Sequence, residues 1–105
     1  MSQPHLLIVD DEQSIRDTLQ DILEDEAYRV STAANAELAR AALKAGTFDL
    51  ILLDIWMPDV DGITLLREIR GNPGCCPVVM ISGHGTVETA VEAIQYGAYD
   101  YLEKP

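Results

Sequence analysis

Short, mostly apolar runs alternate with helical patterns along this chain, and that alternation restricts its fold more than any other feature. Five short segments bounded by polar or turn residues are predicted to be strands, and all but the second are mostly apolar, which is typical of buried strands. The predicted strands span residues 5–9, 28–32, 49–53, 77–81 and 99–102. The segments between them have helical spacing or are rich in alanine, and they span residues 14–26, 36–45, 62–70 and 86–96. The pattern predicts one small α/β domain of 105 residues.

Strands and helices that alternate strictly predict a parallel sheet, because each parallel connection needs a crossover that a helix supplies. With helices on both faces, the result is a three-layer, doubly wound sheet. Ligands of such open sheets bind beyond the carboxyl ends of the strands. Polar or charged residues follow four of the predicted strands: Asp10, Asp11, Asp54, Ser82 and Lys104. A functional site is therefore expected at this edge of the sheet.

Acidic residues follow two of the predicted strands. Asp10 and Asp11 come after the first strand, and Asp54 comes after the third. Carboxylates held close together repel one another unless a positive charge lies between them. Oxygen ligands suit a hard divalent cation, so we expect Mg²⁺ at this place. The alternative is that each aspartate only caps the next helix, which fits Asp11 or Glu12 alone but explains poorly why two strands end in the same way.

The net charge of the chain excludes two classes of partner. The sequence has 18 Asp and Glu against 7 Lys and Arg, a formal charge of −11. Nucleic acids and anionic membrane surfaces are bound through basic patches, so neither is an expected direct partner. No apolar stretch approaches the roughly 20 residues of a membrane-spanning helix. The adjacent Cys75 and Cys76 are poorly placed to bond to each other, which favours thiols and a reducing cytoplasm.

The motif around Asp54 closely resembles the receiver domain of two-component response regulators. It reads Leu-Leu-Asp-Ile-Trp-Met-Pro-Asp-Val-Asp-Gly over residues 52–62, with Val-Asp-Asp-Glu at residues 9–12 and Glu-Lys-Pro at residues 103–105. The resemblance extends from the first predicted strand to the last residue. It implies a flavodoxin-like fold with strand order 2-1-3-4-5. It also implies that Asp54 accepts a phosphoryl group from the histidine of a partner kinase.

The same resemblance implies a set of metal ligands. Asp11 and Asp54 are expected to bind Mg²⁺ directly, Asp10 mostly through water, and the backbone carbonyl of Trp56 is expected to add a further ligand. The chemistry agrees, because a carboxylate is a poor nucleophile toward an anionic phosphoryl group unless that negative charge is offset. A magnesium ion together with a lysine would offset it and hold the transferring group in line.

Three further residues receive roles from the resemblance. Lys104 is expected to contact the phosphoryl oxygens, Ser82 to be the switch hydroxyl, and Tyr101 to be the aromatic residue that moves with it. Each also has a simpler interpretation. Lys104 alone would be a surface lysine, Ser82 a turn serine or helix cap, and Tyr101 a half-exposed residue of an edge strand.

Residues 80–91 and 97–105 resemble a narrower group, the NtrC-like and NtrX-like regulators of nitrogen metabolism. Those proteins carry a receiver domain followed by an ATPase domain and a DNA-binding helix-turn-helix. The expected partners are therefore a sensor histidine kinase and attached output domains that this chain does not contain. Receivers of the family also continue into a fifth helix, which is missing after Pro105. A partly apolar sheet face is thus expected, with marginal stability or self-association, most simply as a homodimer.

Two other functions stay open on the sequence alone. The first is a magnesium-dependent phosphatase or phosphotransferase with a diffusible substrate, although no substrate-pocket residues are evident beyond the acidic site. The second is a binding module that keeps the fold without being phosphorylated. The presence of the full residue set argues against this second function: Asp10, Asp11, Asp54, Ser82 and Lys104.

Overall fold

The computed structural model describes residues 3–57, 59–71, 76–83 and 87–104, in which five strands and four helices alternate. The elements are β1 (His5–Val9), α1 (Gln13–Asp25), β2 (Arg29–Ala33), α2 (Ala36–Ala45), β3 (Leu50–Asp54), α3 (Gly62–Arg70), β4 (Val78–Ser82), α4 (Val87–Gln95) and β5 (Asp100–Glu103). The predicted α/β alternation is confirmed. Cys75, which was expected to be a thiol, lies outside the described residues.

The ends of the elements lie within one residue of those predicted. The strands β2 to β5 each begin and end one residue later, so Asp54 and Ser82 are the last residues of β3 and β4 and do not follow them. Their backbone groups thus belong to the sheet ladder. A residue at the end of a strand is held more firmly than one in the following loop, which suits a site that needs fixed geometry.

All five strands are parallel and lie in the order β2-β1-β3-β4-β5, which confirms the order that the family resemblance implied. None of the helices within the described residues is long and apolar enough to cross a membrane. The central strand pairs are β1 with β3 and β3 with β4, so the carboxyl ends of these three strands meet at one edge.

The main core lies on one face of the sheet. Leu7, Ile51 and Val78 are completely buried neighbours in the register of β1, β3 and β4. Successive side chains of a strand point to opposite faces, so every second residue belongs to this core. The helices α2, α3 and α4 cover it with the buried residues Ala36, Ala39, Leu65, Leu66, Ile69 and Ala93.

The opposite face carries a second layer of apolar residues, among them the buried Ile8 and Ile81. Helix α1 contacts β1 and β2, and none of its residues belongs to the main core, which places it over this second face. Leu102, in register with Ile81, is about half exposed. The expected apolar surface on this face is present at Leu102, whereas self-association stays a prediction.

Helix α4 packs with its alanine side toward the core. Val87, Val91 and Ile94 are spaced for one face of this helix, but all three are exposed, Val87 by 80%. Contact with the core is made by the completely buried Ala93. A small side chain lets the helix lie close to its neighbours, and the larger aliphatic side chains of α4 are left on the molecular surface.

Helix α3 begins so close to the end of β3 that only glycine fits at its first position. A Cβ atom on Gly62 would overlap the backbone oxygen of Asp54 and lie 2.7 Å from the Cα of Ile55, and neither backbone atom can rotate away. The amide of Gly62 donates a 2.6 Å hydrogen bond to the carbonyl of Ile55. The side chain of Asp61 caps the helix by accepting a bond from the amide of Thr64. These contacts anchor the loop that follows Asp54.

Candidate functional site

The register of the sheet places two carboxylates on adjacent strand ends. Val9 of β1 pairs with Leu53 of β3, so the residues that follow them, Asp10 and Asp54, end in the same row. Both are almost completely buried, with exposed fractions of 0% and 2%. Two ionised groups in such surroundings are costly unless a positive charge compensates them.

The ammonium group of Lys104 supplies that charge. Its Nζ atom lies 2.8 Å from Oδ2 of Asp10 and 3.3 Å from Oδ2 of Asp54. A third contact, at 3.2 Å, joins Nζ to Oε1 of Glu12. The side chain of Lys104 is 9% exposed, and its backbone amide donates to the carbonyl of Ser82, which fixes its origin beside β4. The cation is therefore held at the carboxyl edge of the sheet before any ligand arrives.

The surroundings of Asp54 change its acidity. The pKa of Asp54 is raised from an ordinary value of 3.8 to about 6, because burial and then the negative charge of Asp10 raise it and together outweigh the opposing effect of Lys104. Burial alone would lower the pKa of Lys104, but its contacts with Asp10 and Asp54 outweigh this and the pKa is raised. At neutral pH the site thus holds an ionised carboxylate beside a permanently charged ammonium group.

The carboxylates at the end of β1 fit a divalent cation. Oxygens of Asp10, Asp11 and Glu12 lie within 4.8 Å of one another. Oδ1 of Asp10 accepts a 2.9 Å hydrogen bond from the amide of Glu12. Oδ2 of Asp10 is buried, and its contact in the described part of the chain is the ammonium of Lys104 at 2.8 Å, which leaves lone pairs of this carboxylate unused. Spare carboxylate lone pairs of this kind are what a hard cation takes as ligands.

Two of the predicted ligands lie at the rim of the site. Asp11 is exposed and belongs to the acidic group after β1. Trp56 follows β3, with its side chain about half exposed. Its backbone amide donates a long hydrogen bond of 3.4 Å to Oδ1 of Asp54, which keeps the Trp56 backbone next to that carboxylate.

Ser82 and Tyr101 lie on the two strands beyond Asp54. Asp54 pairs with Ile81, so the buried Ser82 is one residue further along the neighbouring strand. Tyr101 is half-buried against the main core, and its hydroxyl is buried without a hydrogen-bond partner among the residues that the structure describes. Tyr99, the other aromatic residue near this strand, is 77% exposed. Of the two tyrosines, Tyr101 is the one that points inward.

Three contacts near the site were not predicted from the sequence. Arg16 donates a 2.7 Å hydrogen bond to the carbonyl of Asp10. The carboxylate of Asp59 accepts a 3.0 Å bond from the amide of Ala36, which ties the loop after β3 to the start of α2. The third contact joins Glu12 to Lys104. Only Glu12 had a signal in the sequence, since it directly follows two acidic residues, whereas the other contacts depend on tertiary packing.

Comparison with known protein families gives a single match over nearly the whole chain. Residues 6–105 match the family model described as the response regulator receiver domain. The chain is 51% identical over 102 residues to the nitrogen assimilation regulatory protein NtrX of Azorhizobium caulinodans, covering 95% of this chain and 22% of that protein. It is 43% identical over 103 residues to the alginate biosynthesis transcriptional regulatory protein AlgB of Pseudomonas aeruginosa, covering 98% of this chain and 23% of that protein. The chain therefore spans less than a quarter of the length of these relatives.

Solved structures give the same result. The receiver domain of NtrX from Brucella abortus is 50% identical, with a TM-score of 0.89 over 95% of this chain and 85% of that one. A CheY-like response regulator receiver domain protein from Methanospirillum hungatei is 37% identical, with a TM-score of 0.91 over 99% of this chain and 83% of that one. The shared architecture extends over all the strands that position the carboxylates.

Proposed function

We propose that Asp54 accepts a phosphoryl group from a sensor histidine kinase, because this chain belongs to the family of response regulator receiver domains. One observation carries the proposal: a buried, ionised carboxylate lies 3.3 Å from the ammonium of Lys104. A nucleophile and a fixed cation at this distance are what transfer of an anionic group requires. The domain is a signalling module, and its own reactions are limited to phosphorylation from small donors and loss of the phosphoryl group.

The proposed transfer is a substitution at phosphorus. An oxygen of Asp54 forms a new bond to phosphorus while the bond from phosphorus to the kinase imidazole nitrogen breaks, and that nitrogen keeps the electron pair. Lys104 stabilises the negative charge on the transferring oxygens. Because the buried Asp10 already holds the ammonium beside Asp54, little reorganisation is needed when the charge develops.

We propose that Asp10, Asp11, Asp54 and the carbonyl of Trp56 hold Mg²⁺, with Asp10 binding mostly through water. The support is the group of carboxylate oxygens after β1, which includes the buried carboxylate of Asp10. When bound, the ion would offset negative charge on the phosphoryl oxygens. The chain's own contribution is to hold these oxygen donors together at the carboxyl edge of the sheet.

The proposed switch consists of Ser82 and Tyr101. A phosphoryl group on Asp54 would offer new acceptor oxygens to the hydroxyl of Ser82, which ends the adjacent strand. Tyr101 already points inward, but its buried hydroxyl has no hydrogen-bond partner among the residues that the structure describes, and this costs free energy. The inward arrangement is thus close in energy to others, and a small change at Ser82 can shift the population of α4 and β5 arrangements.

The relatives suggest what the switch controls. NtrX and AlgB are named as regulatory proteins, and both are more than four times as long as the aligned segment. We propose that this domain controls attached output domains, an ATPase and a DNA-binding domain, in a cytoplasmic transcription regulator. The strongly acidic chain would itself bind neither nucleic acid nor a membrane, and we propose that it can form a homodimer.

Intact-mass measurement tests the proposed function. Incubation with acetyl phosphate and Mg²⁺ should add the mass of one phosphoryl group per chain, and an excess of a metal chelator should prevent the addition. Steady release of phosphate without a covalent adduct would instead indicate a phosphatase. A chain that gains no mass under any of these conditions, although circular dichroism shows it to be folded, would be a binding module.

Magnesium binding should be visible in the fluorescence of Trp56, the only tryptophan in the sequence. The expected result is a change in emission as Mg²⁺ is added, because the backbone amide of Trp56 donates a hydrogen bond to the carboxylate of Asp54. Asp11→Ala should weaken the apparent affinity by roughly tenfold or more, the range for removing a group that supports a metal site. Asp21→Ala, an exposed aspartate on α1, is the matched control. Equal affinities in the two variants would contradict the proposed role of Asp11.

A further inference from the structure

Glu12 has an unusual position at the start of α1. It is the N-cap residue of the helix, but its side chain accepts no hydrogen bond from the helix amides. Its own amide is instead bound by Oδ1 of Asp10. The Glu12 carboxylate extends away from the helix and accepts a hydrogen bond of 3.2 Å from Nζ of Lys104, 92 residues further along the chain.

The three carboxylates around Lys104 are not equivalent. Those of Asp10 and Asp54 are buried, whereas the side chain of Glu12 is 58% exposed. The ammonium donates a hydrogen bond of 3.2 Å to Glu12, and its contact with the buried Asp10 is shorter, at 2.8 Å. Glu12 is therefore the partner on the solvent side, from which an incoming phosphoryl donor must approach.

We propose that Glu12 is a positioning residue for Lys104: it holds the ammonium at the mouth of the site in the resting state and gives it up to the phosphoryl oxygens. This inference rests on the proposed phosphoryl transfer to Asp54. The hydrogen bond to Glu12 competes with the bond that Lys104 makes to the product. The negative charge of the Glu12 carboxylate also opposes the approach of an anionic phosphoryl donor. Glu12 thus restrains phosphorylation of the resting domain.

Two substitutions at Glu12 separate the effect of its hydrogen bond to Lys104 from the effect of its negative charge. Glu12→Gln keeps an acceptor oxygen and loses the charge, while Glu12→Ala loses both. With a small donor, the rate of phosphorylation should rise roughly two- to fivefold in Glu12→Gln, which corresponds to the strength of a partly exposed ion pair. Glu24→Gln, at an exposed position near the end of α1, makes the same change in net charge far from the site and serves as the control.

A second readout does not depend on phosphorylation. A buried, hydrogen-bonded lysine ammonium exchanges its protons slowly enough to be observed by proton–nitrogen NMR. Without donor or metal, the Lys104 signal should persist but shift in Glu12→Gln, broaden strongly in Glu12→Ala, and stay unchanged in Glu24→Gln. If the wild-type chain accepts no phosphoryl group, the proposed function fails, yet this spectrum still reports whether Glu12 holds Lys104.

Three results would overturn the inference. One is a Lys104 signal that is the same in Glu12→Ala and in the wild type. Another is a wild-type chain that is phosphorylated at the same rate as Glu12→Gln. The third is a loss of about tenfold or more in magnesium affinity in Glu12→Gln, measured by Trp56 fluorescence, which would make Glu12 a metal ligand.

Discussion

Asp54→Asn is expected to accept no phosphoryl group and, without metal, to be more stable than the wild-type chain. The first effect follows because a neutral amide cannot attack phosphorus as a carboxylate does. The second follows because the buried carboxylate of Asp54 is held beside the like charge of Asp10. Asparagine has nearly the same shape and removes that repulsion together with the cost of burying a charge.

The stabilisation should depend on pH in a definite direction. The pKa of Asp54 is raised from 3.8 to about 6 by folding, so the folded chain binds this proton more tightly than the unfolded chain does. Ionised Asp54 therefore lowers the free energy of unfolding by about 3 kcal/mol above pH 6. The wild type regains this stability as the pH falls from about 6 to about 4, because Asp54 becomes protonated. At neutral pH the variant should gain up to about 3 kcal/mol, or roughly 10–20 °C in its unfolding midpoint.

Thermal and urea unfolding over this pH range, with a chelator present, are the measurements. Asp25→Asn makes the same chemical change at an exposed position on α1 and should alter the free energy of unfolding by less than about 0.5 kcal/mol. An Asp54→Asn variant that is less stable than the wild type at neutral pH would show that the carboxylate is well compensated by Lys104. A gain that does not shrink toward pH 4 would show that ionisation is not its cause.

Lys104→Met should have the opposite effect on stability, and a larger one. It removes the cation that lies between the two buried carboxylates and keeps a flexible side chain of similar length. Removing one partner from a buried ion pair typically costs about 3–5 kcal/mol, because the remaining charge is left without compensation. We expect a loss of this size at neutral pH without metal, measured by urea unfolding.

The loss should be reversible by two treatments that act on the same charges. Lowering the pH protonates Asp54 and should reduce the difference between variant and wild type. Adding Mg²⁺ should do the same by supplying another cation. Lys44→Met, at an exposed position near the end of α2, changes the net charge equally and should have little effect. A loss in Lys104→Met that neither acid nor magnesium relieves would indicate lost packing of the lysine chain and not unpaired carboxylates.

The fold was predictable from the sequence because its signals are local. Apolar runs and helical spacing reveal strands and helices without knowledge of their neighbours, and alternation implies parallel pairing. The order β2-β1-β3-β4-β5 did not follow from alternation, and it came from the resemblance of the Asp54 motif to receivers. The strand ends were placed one residue early at Asp54 and Ser82, since polar side chains were taken to lie outside the ladder.

The grouping of Asp10, Asp54, Ser82 and Lys104 was predictable because the carboxyl ends of parallel strands share one edge. What the sequence could not provide are facts that depend on packing between distant segments. The contact of Glu12 with Lys104 spans 92 residues. Ala93 is the buried residue of α4 because of how closely that helix approaches its neighbours. Helical periodicity in the sequence does not reveal this distance.

Borohydride trapping tests most directly whether Asp54 is the phosphoryl acceptor. Borohydride reduces an aspartyl phosphate to homoserine, so peptide mapping after reaction with acetyl phosphate and Mg²⁺ shows which residue was modified. We expect homoserine at position 54 alone, and none when magnesium is chelated. Homoserine at Asp59 or Asp61 instead, or a phosphoryl adduct that borohydride does not convert, would contradict it.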